Sequence, residues 1–436
     1  MKKHKLHQVF GVSRDLPLTY VERKHVDDKF KNNLGRDKHI VIYGRSKQGK
    51  TCLHKNCLNK DDYIVIQCRS SMSLTGLYAT ILKEAGAKID ISEKKTTSGT
   101  FKLGVELEAS GKIPLIAEGK AKGKGEGEKK SQTEKENKFL EIDPIDPNDI
   151  IRILEAMNFH KYIMLEDFHY LSKEVQIQVA IDLKAFHEKS GTCCFIIVGV
   201  WLEPTRLLLY NGDLSGRLIP IDADIWDEEG LSKILSKGEK LLNVKISDNV
   251  KQAIIVSCQK NVGILQETCW RLFQNHNILE TQDDSITLND DKEIDRIIVE
   301  IAREQAGRYH NLLLYLADKN NNLDEGELVK WIAFVVITST PEELVLGIPF
   351  RTIAEKIREY HPHKSDIKDS NIHNALLNLV SIQNQHKIQP VVLDYDFNSN
   401  VLRIVNSEFI LFTEAVSEKE LLKLIDLEGI GKERTL

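Results

Sequence analysis

Five short apolar runs punctuate the chain, at residues 39–43 (His-Ile-Val-Ile-Tyr), 63–68, 162–165, 194–198 and 218–221. Runs this short and this unbroken are the pattern of strands buried on both faces. Between them the spacing turns helical: after Lys50, over 74–87, and from Asp146-Pro147, a cap followed by proline in the first turn. Residues 20–30 predict an amphipathic entry helix. Strands alternating with helices predict a parallel sheet covered on both faces.

One stretch, about 92–143, breaks this rhythm. Phe101, Leu103, Val105 and Leu107 fall on one face and Lys102, Glu106 and Glu108 on the other, a period of two. Ser110-Gly111 can turn the chain, with Ile113, Leu115 and Ala117 on a return strand. Gly119, Ala121, Gly123, Gly125 and Gly127 then alternate with Lys120, Lys122, Lys124, Glu126 and Glu128, which predicts a flexible stretch to about Lys138. Beyond 228 the chain reads as helical to about 279, then as a long helix over 291–316. The segment 326–416 reads as three helices and two short strands, 390–395 and 401–406, joined by the turn sequence Asp396-Phe397-Asn398-Ser399-Asn400. That order predicts a winged helix. The expected domains are a core at 1–226, a helical lid at 227–285, and a helical linker with the winged helix at 286–436.

Composition changes little in this picture. At 436 residues, 41% hydrophobic and 29% charged, the chain can bury a large core, and global disorder is excluded. A net charge of −5 gives no overall basic footprint for nucleic acid. The basic start, Met1-Lys2-Lys3-His4-Lys5, is followed by no apolar signal core, and no run approaches membrane-helix length. The seven cysteines form no C-x-x-C pair and read as reduced, buried thiols of a cytoplasmic protein.

The chemistry sits at strand ends. Gly44-Arg45-Ser46-Lys47-Gln48-Gly49-Lys50-Thr51 matches G-x-x-x-x-G-K-[ST] between a strand and a helix, the context that marks a phosphate-binding loop. Its backbone amides would curl around phosphates at a helix N-terminus, with Cys52 just beyond. Lys50 would reach the β/γ oxygens and the Thr51 hydroxyl would hold Mg²⁺. The run 162–165 ends in Glu166-Asp167-Phe168-His169, so a second strand delivers two acids to the same place. By position Glu166 faces the metal and Asp167 is the candidate base. Their order is the reverse of the usual Asp-Glu, which leaves the two roles open. His169 reads as a packing or hydrogen-bonding residue.

With Leu214-Ser215-Gly216-Arg217-Leu218 and Asp227-Glu228-Glu229-Gly230-Leu231 the chain resembles the AAA+ ATPases. The resemblance covers about 20–280 and is nearest the branch of origin-recognition, transposition-regulator and STAND-type signalling ATPases. It implies an α/β sheet with a hairpin insertion and a helical lid, ATP as ligand, and homo-oligomers. It further implies that Arg217 projects toward a neighbouring subunit's γ-phosphate. Two departures matter: Gly199-Val200-Trp201 stands where a polar sensor is common, and the lid helix after Asn261-Val262-Gly263 has Arg271 two turns too late. Weak sensing groups imply slow hydrolysis and a switch rather than a motor.

In the winged-helix segment the recognition-helix candidate, 369–385, contains no Lys or Arg, and 326–416 holds 8 basic against 11 acidic residues. Phosphate neutralisation supplies most DNA affinity, so a protein-docking or autoinhibitory role is favoured over DNA. The expectation is a slow ATPase switch that self-assembles, with a defence or stress response as its candidate setting. Only about forty residues precede the loop, so a separate effector or client protein is expected. The alternatives are a DNA-associated ATPase using the basic insertion and the winged helix, and a nucleotide-binding scaffold without turnover.

Overall fold

The computed structural model describes residues 2–12, 15–95, 101–108, 137–189, 193–224, 226–318, 326–363 and 366–430. The first strand, β1 (His39–Tyr43), is buried along its whole length, as its unbroken apolar run requires. Then follow β2 (Tyr63–Gln67), β3 (Lys88–Lys95), β4 (Phe101–Glu108), β5 (Asn137–Ile142), β6 (Tyr162–Glu166), β7 (Phe195–Val198) and β8 (Leu218–Asp222). Five of them form one parallel sheet in the order β2-β6-β7-β1-β8. The central strands β1, β6 and β7 carry the aliphatic runs. The edge strand β8 alternates buried and half-buried positions and tolerates Pro220, whose missing N–H would break a central ladder. Helices Leu74–Glu84, Pro147–Ala156 and Lys173–Lys189 cover one apolar layer, with Tyr78, Leu154, Leu183 and Phe186 buried against the sheet. This is the mixed α/β architecture, with an inserted antiparallel element and a helical lid, that the AAA+ resemblance implies.

Several local expectations change. The entry helix shrinks to a π-type turn, Lys24–Asp28, and a short helix, Lys29–Lys31. Strand β4 is the centre of an antiparallel sheet in the order β3-β4-β5. Its partners are Lys88–Lys95, which begins upstream of the expected boundary near 92, and Asn137–Ile142, whose first residues fall at the end of the stretch expected to be flexible to about Lys138. Ladders from both sides satisfy the backbone of β4 on each edge. The expected turn at Ser110-Gly111, the return strand over 113–117 and the lysine-rich arm fall outside the described residues.

The segment read from sequence as the lid contains helices Glu228–Leu242, Asp248–Ser257 and Val262–Asn275, and its short strand Val244–Ile246 pairs in parallel with Ile286–Leu288. The long helix expected over 291–316 breaks at Gln305 into Lys292–Glu304 and Ala306–Ala317. In the C-terminal part, helices Gly326–Ile337, Pro341–Leu346, Phe350–Tyr360 and Asp369–Gln385 precede strands Leu393–Asp396 and Val401–Ile404. These two strands pair antiparallel, with the two-residue strand Ile348–Pro349 on the far side of Val401–Ile404.

This part docks on the core through polar contacts. Arg206 donates to both carboxylate oxygens of Asp394, at 2.9 and 2.8 Å, and Asn398 donates to Glu203 at 2.7 Å. Burial first, then the nearby Asp396, raises the Glu203 carboxyl from 4.5 to about 7. Among the described residues, no helix is long and apolar enough to cross a membrane. All seven cysteines are free thiols.

Candidate nucleotide-binding site

Parallel strands bring their C-terminal ends to one edge of the sheet, so the segments after β1, β2, β6, β7 and β8 meet there. Gly49 has φ of +81° immediately before helix Lys50–Cys57, a left-handed turn suited to glycine that aims the helix N-terminus into the loop. Lys50 is buried, and its Nζ donates to the carbonyls of Gly44 at 2.8 Å and Arg45 at 2.6 Å. Burial lowers its ammonium from 10.5 to about 8, against the opposing pull of Asp224 and Asp167. Holding this cation away from water prepares it for phosphate oxygens.

The two acids at the end of β6 differ in their surroundings. Glu166 accepts from His54 Nε2 at 2.9 Å and also bonds the Thr51 side chain. Burial by itself would raise its pKa, but His54, Lys55 and Thr51 outweigh that and hold the carboxyl below its ordinary value. Asp167 takes a left-handed conformation, φ +55°, just past the strand, and lines the cavity beside Lys50 and Thr51. Burial and the neighbouring Glu166 push its carboxyl up. Gln67, whose Cα is paired with that of Glu166 across β2 and β6, donates to the Asp167 carboxylate. The two carboxyls thus differ: Glu166 bonds the helix behind the loop, and Asp167 lines the cavity. His169 is buried, accepts from the Val200 amide at 3.3 Å, and is neutral because burial drops its pKa to about 3.

The cavity itself, about 390 Å³, has Asp167 and Val200 at the strand ends and three further walls. The loop and its helix supply Ser46, Lys47, Gln48, Gly49, Lys50, Thr51 and Cys52, and the lid supplies Ile234, Val262, Gly263 and Gln266, with Trp226 just before it. The third wall, not anticipated from the sequence, is the N-terminal segment with Gly11, Thr19, Tyr20 and Arg23. Gln266 fastens that wall: its carbonyl accepts from the Gly11 amide and its NH₂ donates to Thr19, both at 3.1 Å. The Arg23 guanidinium lies 4.3 Å over the Trp226 ring and donates to the Ala223 carbonyl at 2.7 Å. At Gly263 a side chain would meet Lys47 at 2.4 Å, so glycine lets the lid helix touch the loop. Arg271, by contrast, is tied to Glu267 at 2.8 Å and Glu304 at 2.7 Å and does not line the cavity.

The loop is also held from the C-terminal part. The Ser46 amide donates to the Val405 carbonyl at 3.1 Å, and Arg45 Nε donates to the Ile404 carbonyl at 3.0 Å. Arg45 also pairs with Asp224, and Lys47 pairs with Glu408. Asn261 of the lid donates to both the Ser46 carbonyl, at 3.2 Å, and the Ser407 hydroxyl, at 3.1 Å.

Arg217 lies elsewhere. It precedes β8, its carbonyl accepts from the His39 amide at 3.0 Å, and its guanidinium pairs with Glu188 at 2.7 Å. That is the opposite edge of the sheet, roughly 15 Å away at a strand's rise per residue. Arg217 therefore does not serve the loop of its own chain.

The oxygen donors suit Mg²⁺, which takes one or two protein oxygens and completes its shell with water and phosphate. Among the described residues no group of three or more His, Cys, Asp or Glu could hold a metal alone, so nucleotide oxygens would be part of the set.

Sheet, loop and paired acids define a P-loop nucleotide-binding α/β protein. No protein-family model matches the chain, and no curated protein does. Among solved structures it is similar to the Walker-type ATPase PABY2304 of Pyrococcus abyssi, at 12% identity over 91% of this chain and 99% of that one, TM-score 0.47. It is also similar to the Orc1 protein of Aeropyrum pernix solved in complex with DNA, at 8% identity over 97% and 98%, TM-score 0.45. A third is Cdc6p of Pyrobaculum aerophilum, at 14% identity over 95% and 96%, TM-score 0.38. At such scores the fold assignment stands on this chain's own strand order and loop.

Proposed function

We propose that this chain is a slow ATPase that works as a nucleotide-dependent switch, assembling with copies of itself and passing its state to a separate partner protein. One observation carries the reading: Arg45, Ser46 and Lys47 of the phosphate loop are bonded to Ile404, Val405 and Glu408 of the C-terminal part. Phosphate binding and C-terminal docking thus draw on the same few residues, so either can bias the other.

Lys50 and the loop amides hold the phosphates. Mg²⁺, when bound, neutralises phosphate charge beside Thr51 and Glu166. Asp167 accepts a proton from the attacking water at its carboxylate, and Gln67 holds that carboxylate until phosphate competes for the site. Arg217 from a neighbouring copy stabilises charge on the transferred phosphoryl group. The winged-helix reading of 326–416 makes that part the docking surface for the partner, and a defence or stress pathway fits such a device. ATP is preferred to GTP by the family resemblance.

Light scattering with an ATP analogue, with ADP and without nucleotide tests the switch: assembly should depend on the nucleotide and be indifferent to DNA. Lys50→Ala should lose nucleotide binding and the response together. Turnover stimulated by duplex DNA, with steeply salt-dependent binding, would favour the DNA-associated alternative.

A further inference from the structure

The helix behind the phosphate loop contributes a second group to Glu166 that the loop motif does not contain. Thr51 and His54 are three residues apart on helix Lys50–Cys57, hence on one face, and both bond the Glu166 carboxylate. The His54 ring is 2% exposed and meets Tyr63 edge-on at 5.5 Å between centroids. Its Nε2 lies 2.9 Å from Glu166 Oε1, while Nδ1 is buried without a hydrogen-bond partner among the described residues. Among the described residues the ring's polar contact is therefore Glu166. A buried imidazole with a single outlet is costly as mere packing, since Phe or Leu would fill the space without desolvating two nitrogens.

We propose that His54 is a positioning residue for Mg²⁺: by donating Nε2–H to Glu166 Oε1 it holds the carboxylate in one orientation for the metal that accompanies the nucleotide. This deepens the proposed function and rests on its assignment of Glu166 to the metal side. The donor occupies one oxygen and stops the carboxylate rotating, so Glu166 need not be ordered when the ion arrives.

The experiment measures the affinity of a fluorescent ATP analogue in EDTA and across a Mg²⁺ titration for the wild type, Glu166→Ala, His54→Phe and His54→Gln. Phenylalanine keeps a ring against Tyr63 but cannot donate, whereas the glutamine amide can. His54→Phe should weaken Mg²⁺ about 10-fold or more, in line with other residues that orient metal ligands, and leave affinity in EDTA unchanged. His54→Gln should stay close to wild type. Equal losses in both variants, an unchanged Mg²⁺ dependence in His54→Phe, or a matching loss in EDTA would each overturn the proposal. Glu166→Ala with wild-type Mg²⁺ dependence would instead remove the metal-side assignment on which it rests.

Discussion

The two edges of the parallel sheet use charge in opposite ways. At the C-terminal edge Lys50 is buried, bonded to backbone carbonyls and lowered to about 8, while Asp167 is pushed up beside it. At the N-terminal edge Arg217 is partly exposed and paired with Glu188, itself 44% exposed. Buried charges are costly to keep and strong when a ligand compensates them. A half-exposed pair is weak and easily exchanged. The first edge is built to bind, and the second holds an arginine that a neighbouring site could take over at little cost.

Changes at the C-terminal edge should have the largest effects. Asp167→Asn should lower turnover about 10²–10⁴-fold, the usual value of a positioned base, while nucleotide affinity measured by fluorescence stays near wild type. An equal loss of affinity would assign Asp167 to binding. Arg217→Ala should leave affinity unchanged and lower turnover about 10-fold or more, less than a fast enzyme's trans-acting arginine supplies. That loss should appear only at concentrations where the chain self-associates; a loss already present in dilute monomer would place its effect within one chain.

The smallest effect concerns Glu203, between core and C-terminal part. Its folded-state carboxyl, raised to about 7 from 4.5, binds a proton more tightly than in the unfolded chain. Stability from the protonated form is therefore full below about 4.5 and lost as pH rises through about 7. The thermal midpoint of the wild type should fall between pH 5 and pH 8, and Glu203→Gln should flatten that increment. A slope unchanged in the variant would assign it to other groups.

Much of the binding edge was legible because its chemistry is local. The loop, its strand and its helix are contiguous, so spacing alone located Gly44 to Thr51, and the same logic found Glu166 and Asp167 at the end of a buried run. Gln67 could have been found as well, because it lies near the end of the strand read over 63–68 and ends β2. The third wall of the cavity left no such trace. Gly11, Thr19 and Gln266 are brought together by contacts spanning about 250 residues of chain, and none of them belongs to a pattern. Strand β4 shows the same limit in miniature. Its alternation was plain, yet its partners were misassigned, because period two says which face a residue takes and not which strand lies beside it.

Sequence by itself therefore determined the parallel-sheet class, the phosphate loop and the acids opposite it, since each is fixed by hydrophobic periodicity and residues adjacent in the chain. Tertiary structure alone decided that His54 and Thr51 share Glu166 and that Arg217 stands at the far edge from its own loop. It alone also set residues 404–408 against Arg45, Ser46 and Lys47. These are pairings across long stretches of chain, chosen by which surfaces could be buried together with their polar groups satisfied, and no local pattern encodes that choice.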